Sequence, residues 1–134
     1  MASISKERTI EADPDDVWGA LRDWGALHER LVPGFALDTR LDGSDRIVTF
    51  FNGAVVRERP IDVNDQNRRL VWSIVDGPYT HHNGVAQVFA NDDGTTRFLW
   101  IADLLPDELA EVTSDLMERG IDTVKSTLES HSHR

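Results

Sequence analysis

With 134 residues, 40% of them hydrophobic, the chain is sized for one domain spanning 1–134, with a core and room for an internal cavity. Its 14 Lys and Arg stand against 24 Asp and Glu, and the net charge of −10, with no basic stripe to offset it, disfavours nucleic acid and anionic membranes as partners. The absence of Cys removes disulfides, thiolate metal sites and cysteine nucleophiles, and the lack of an apolar run at the N-terminus or elsewhere reads as a cytoplasmic protein.

Residues 3–11 predict a first strand, closed by Ala12-Asp13-Pro14. Asp13-Pro14-Asp15-Asp16 opens a helix with Val17, Trp18 and Leu21 on its apolar side, and a second short helix over 24–31 carries Trp24, Leu27 and Leu31 before Pro33-Gly34 stops it. From Phe35 to Leu105, turn chemistry at 42–44, 52–53, 64–67, 76–78 and 91–94 divides the chain into six strands, and turns this close together imply an antiparallel meander. The last segment, 106–128, is amphipathic at helical spacing. Leu109, Val112, Leu116, Ile121, Val124 and Leu128 form its dry side, and Pro106 is expected as its first helical residue. His131 and His133 fall in a polar tail expected to fray.

Alternation assigns the strand faces. Over 97–104 the even residues Phe98, Trp100, Ala102 and Leu104 face inward, as do Leu70, Trp72 and Ile74 over 69–75. Over 54–61, Arg57 and Arg59 point to solvent, which turns Val56 and Glu58 inward and sets a carboxylate among tryptophans. Two turns supply a register. Asn52-Gly53 as a two-residue hairpin pairs Phe51 with Ala54, Ile47 with Glu58 and Thr49 with Val56; Asp92-Asp93-Gly94 as a three-residue loop pairs Asn91 with Thr95, Ala86 with Trp100 and Gly84 with Ala102. On the second register His82, Gly84, Ala86 and Val88 face inward and His81, Asn83 and Gln87 outward.

The order of DPDDVWGALRDWGAL, VRERPIDVND, RRLVWSIVDGPYTHHNGVAQV and TTRFLWIADLLPDEL resembles the polyketide cyclase/dehydrase-like branch of the START and pollen-allergen-like superfamily, over nearly the whole chain. The resemblance implies an α+β helix-grip fold, a seven-stranded antiparallel sheet wrapped around a long C-terminal helix, with a cavity between them. It also implies binding of a lipid, polyketide or other hydrophobic small molecule, with cyclisation or dehydration in some members. By position it places a pocket acid at Glu58 and cavity walls at Trp72, His82 and Trp100.

Glu58 is the leading candidate for acid-base chemistry, because burial raises a carboxyl pKa toward neutrality; the alternative is an ion pair, with Lys6 or Arg8 as partner. His82 is the second, as a proton-transfer group or as a donor to a ligand carbonyl. Neighbouring strand residues face opposite ways, so His81 and His82 are not a metal pair, and neither a metal nor a cofactor is implied. No lysine sits mid-strand on the inner face for imine chemistry. The expected ligand contacts are Val56, Glu58, Trp72, His82, Ala86, Phe98 and Trp100 from the sheet and Val112, Leu116, Met117 and Gly120 from the helix. Trp18 and Trp24 are assigned to helix packing, and Leu99 and Ile101, on the outer face, would serve a homodimer. Three functions stay open: small-molecule binding, a cyclase or dehydratase using Glu58 or His82, and a dimeric interaction module.

Overall fold

The computed structural model describes residues 1–132. Seven strands form one antiparallel sheet: β1 (Ala2–Ile10), β2 (Ala36–Asp42), β3 (Asp45–Phe50), β4 (Val55–Asn64), β5 (Arg69–Ile74), β6 (His81–Ala90) and β7 (Thr96–Leu105), in the order β1-β7-β6-β5-β4-β3-β2. Strands β2 to β7 follow one another as hairpins, while β1 pairs with the last strand, Ala2 opposite Leu104 and Ile10 opposite Thr96. The chain therefore crosses from one edge of the sheet to the other between β1 and β2. Helix α1 (Pro14–Arg22), a 3₁₀ turn (Trp24–Ala26) and a π turn (Leu27–Leu31) make that crossing. Asp13 caps α1 by accepting from the Asp15 N–H at 2.8 Å, and Trp18 Nε1 donates to Asp65 at 2.9 Å, tying α1 to the β4–β5 turn.

Helix α2 (Ala110–Ser132) follows a short 3₁₀ turn, Asp107–Leu109. The helix thus begins later than the sequence suggests, because Pro106 keeps an extended backbone (ψ 159°) and only precedes the turn. It also runs further. His131 is helical rather than part of a frayed tail, and His133 lies outside the described residues. Ile121, Val124 and Leu128 enter the core with Ile10, Leu70 and Phe98. No helix among the described residues is long and apolar enough to cross a membrane.

The acidic flank of α2 holds the edge strand. Lys6 Nζ meets Glu118 at 2.9 Å, Arg8 pairs with Glu118 and, at 2.9 Å, with Asp122, and Lys125 Nζ donates to the Thr9 carbonyl at 2.7 Å. An open strand edge is thereby covered and charged. Lys6 and Arg8 are spent here, so neither partners Glu58.

The β6–β7 register is the expected one, with Ala86 opposite Trp100 and Gly84 opposite Ala102. The β3–β4 register is one residue away from expectation. Arg46 faces Glu58 and Val48 faces Val56, because the connection is a three-residue loop, Phe51-Asn52-Gly53, in which Gly53 takes φ +85° and the Phe50 N–H donates to Ala54 O at 2.8 Å. The single-residue slip brings Arg46 into the interior in place of Ile47. On the outer face Leu99 and Ile101 are half-buried.

Candidate functional site

The inner face of β4, β5, β6 and β7 and the first half of α2 enclose a cavity of about 250 Å³. Its lower wall is aromatic. Trp72 and Trp100 tilt together with ring centroids 6.3 Å apart, flanked by Phe35 and Phe50. Small residues make room for the indoles: a Cβ on Gly84 would lie 2.6 Å from Trp72 Cε2, and one on Gly120 would lie 2.9 Å from Trp100 Cζ3. A second chamber of about 70 Å³ lies deeper, between this aromatic wall and Leu21, Leu27, Leu31 and Val32 of the crossing segment.

The expected contact residues divide between these spaces. Val56, His82, Val112, Leu116 and Met117 line the larger cavity, Ala86 and Phe98 the deeper chamber, and Glu58, Trp72 and Trp100 both. Gly120 lines neither, because Trp100 and Phe35 occupy the space above it. Val112 is 51% exposed, so it stands at the cavity's edge rather than on a dry helix face. Thr113 and Tyr79, which the strand and helix patterns do not single out, also line the cavity, and their hydroxyls hydrogen-bond to each other at 2.7 Å, joining the β5–β6 loop to α2. Tyr79 sits between Pro78 and a weak strand start, and nothing in the periodicity marks its direction.

Glu58 faces inward, as strand alternation requires, and is an ion-pair partner. Arg46 Nε and Nη2 both reach Oε1 at 2.8 Å, with the two side chains 5% and 7% exposed. Arg46 is completed by Nη1 donating to the Trp24 carbonyl at 3.2 Å and by the Trp24 ring, 3.6 Å below the guanidinium. Trp24 is therefore a support for the ion pair rather than plain helix packing. Burial pushes Arg46 below its ordinary value and the Glu58 charge works against that push, so the guanidinium stays charged. All fully buried side-chain nitrogens and oxygens among the described residues have hydrogen-bond partners. Among the described residues nothing donates to Glu58 Oε2, which leaves that oxygen as an acceptor toward the spaces Glu58 lines.

His82 is 6% exposed and fixed differently. Its Nδ1 accepts from the Ile74 N–H at 3.1 Å, just past the last backbone pair between β5 and β6, so the imidazole takes the place of a ladder carbonyl. Burial, reinforced by the neighbouring His81 charge and partly opposed by Asp103, lowers its pKa to about 4. The ring is neutral at pH 7, and with Nδ1 accepting, the proton resides on Nε2. Since Nε2 also lacks a protein partner, it presents an N–H to the cavity. In this tautomer His82 donates and does not act as a base.

A sequence profile of the family described as "Polyketide cyclase / dehydrase and lipid transport" matches residues 1–129. No match was found among curated protein sequences. Among solved structures, the chain is similar to the protein XoxI from Bacillus cereus (20% identity, 100% of both chains covered, TM-score 0.87). It is also similar to a START superfamily protein from Mycobacterium smegmatis (10% identity, 98% and 97% covered, TM-score 0.74). A third similar structure is a point mutant of norcoclaurine synthase from Thalictrum flavum in complex with a transition state analogue (18% identity, 97% and 95% covered, TM-score 0.73). At these identities the likeness is one of fold.

Proposed function

The chain belongs to the polyketide cyclase / dehydrase and lipid transport family, and from that premise we propose that it binds an apolar or aromatic small molecule in the cavity between the sheet and α2. The observation that carries this reading is a preformed space of about 250 Å³, walled by Trp72, Trp100, Leu116 and Met117, into which Glu58 and His82 bring hydrogen-bonding capacity not already used within the protein. Native mass spectrometry of the purified protein, followed by denaturation, tests it. A bound species released on unfolding, and lost from a Val56→Trp variant that fills the cavity while keeping the native circular dichroism spectrum, is the expected result. Identical apolar-ligand uptake by the filled variant would overturn it.

One observation favours a second reading, an enzyme of cyclase or dehydratase type: a carboxylate oxygen and an imidazole N–H open on the same cavity. A ketone polarised by His82 Nε2–H could lose an adjacent proton to Glu58 Oε2. Turnover of a polyketone that persists unchanged in Glu58→Gln and His82→Gln would eliminate this route.

A further inference from the structure

The polar groups of the cavity specify more than an apolar ligand. Glu58 offers an acceptor and His82 a donor, and they lie in one row across the sheet: Glu58 is paired with Ile74, and the Ile74 N–H is bonded to His82 Nδ1. Their backbones are thus two strand spacings apart, about 9.5 Å, with the His82 ring turned toward β5 and the Glu58 carboxylate held on its other side by Arg46 of β3. A rigid ligand satisfying both must carry a donor for the carboxylate and an acceptor for the imidazole at separate positions. Ile74 lies between them in that row, and the indoles of Trp72 and Trp100 wall the cavity alongside, which favours a flat body.

Size and charge narrow the class further. A space of about 250 Å³ equals roughly eight waters of liquid volume, room for roughly a dozen non-hydrogen atoms. A long acyl chain would have to extend beyond it, past Val112 at its edge. Among the described residues no Lys or Arg lines the cavity, and Arg46, which lines the deeper chamber, is already committed to Glu58 Oε1. An incoming carboxylate would therefore meet a carboxylate whose counter-charge is already taken, and no free cation.

Resting on the binding function proposed above, we infer that the cavity is built for a compact, uncharged hydroxyaryl ketone or aldehyde, its hydroxyl donating to Glu58 Oε2, its carbonyl accepting from His82 Nε2–H and its ring lying against Trp72 and Trp100. On this reading a fatty acid, long and anionic, is not the resident ligand.

Titration by intrinsic tryptophan fluorescence and calorimetry with a matched series tests this on the unaltered protein. The series is 4-hydroxyacetophenone, its methyl ether (no donor for Glu58), 4-ethylphenol (no acceptor for His82) and palmitate. The hydroxy ketone should bind about ten-fold tighter than either truncated analogue, the worth of one desolvated hydrogen bond, and palmitate should not compete. Nitrogen-15 NMR of the His82 ring should show the proton on Nε2 before ligand is added and a displaced Nε2 signal afterwards. Equal binding of the hydroxy ketone and both analogues, competition by palmitate, or a proton on Nδ1 in the free protein would each overturn the inference while leaving an apolar binding cavity in place. Binding of none of the four, together with a cavity-filled variant that behaves like the parent in native mass spectrometry, would overturn both.

Discussion

Removing one half of the Arg46–Glu58 pair should cost far more than removing both. The side chains are 5% and 7% exposed, Arg46 spends Nε and Nη2 on Glu58 Oε1, and its remaining contacts, the Trp24 carbonyl and ring, are neutral. In Glu58→Leu the guanidinium stays buried without a counter-charge, and breaking such a pair from one side costs about 3–5 kcal/mol. Arg46→Met is expected to cost less, because a stranded carboxyl can take up a proton and shed its charge, whereas a guanidinium cannot. The double variant Arg46→Met/Glu58→Leu has apolar groups of similar length in an apolar setting and should recover most of the loss, ending within about 1–2 kcal/mol of the parent. Urea unfolding followed by circular dichroism at pH 7 gives the cycle. For a chain of this size, about 3 °C in Tm accompanies each kcal/mol, so Glu58→Leu should melt about 10–15 °C lower. Single variants that each cost under about 1 kcal/mol, or a double variant whose loss is the sum of the two, would refute the placement of a desolvated ion pair at this site.

His82 gives the protein a specific pH dependence. Because its folded pKa lies near 4 and the unfolded value near 6.5, the unfolded chain binds more protons between those values, and stability falls as the pH drops through that window, by about 3 kcal/mol in all. Replacing it by Gln, whose carbonyl can still accept from the Ile74 N–H, should flatten the stability profile between pH 6.5 and 4; an unchanged slope would assign the loss to other groups. Glycine substitutions should separate by environment. Gly84→Ala and Gly120→Ala drive a methyl into rigid indole atoms and should each cost about 1–3 kcal/mol in urea unfolding, with a shifted tryptophan emission. Gly19→Ala, in α1 with only Arg30 Nη2 at 3.5 Å, should instead raise stability by about 0.5–1 kcal/mol.

Much of the sheet was legible because its two strongest signals, alternation and turn chemistry, are local. Phe98, Trp100 and Ala102 share a face by a period of two, and Asp92-Asp93-Gly94 fixes β6 against β7 by the left-handed glycine at its end. The same chemistry misleads at Asn52-Gly53. That dipeptide suits a two-residue turn, but it also suits the end of a three-residue loop, and the choice depends on whether Phe51 pairs with β4 or, as here, donates to the Phe35 carbonyl instead. A tertiary contact decided the register, and with it the identity of the residue facing Glu58. Arg46 was consequently invisible as a site residue. Its neighbour Ile47 is the better core residue by composition, and a charged side chain is placed inside only when its partner is known. The His82 tautomer was hidden for a similar reason: Nδ1 is fixed by the backbone of another strand, eight residues away. Glu58, by contrast, was legible from Arg57 and Arg59 alone, which reach Asp45 and Asp42 on the outer face and so dictate the direction of the residue between them.

The two oxygens of Glu58 serve different sides of the fold. One is fastened to the β3 arginine and the Trp24 support beneath it, and the other is left for the cavity, so the anchoring group is held in position before any ligand arrives and its ordering cost is met during folding rather than binding. The volume beside it is set by a separate element, the Val112, Leu116 and Met117 flank of α2. Anchor and volume can therefore change independently. Substitution along that one helical flank can re-size the chamber for a longer or shorter guest without disturbing the hydrogen-bonding address at its floor, which is a route by which a single scaffold comes to accommodate chemically related molecules of different bulk.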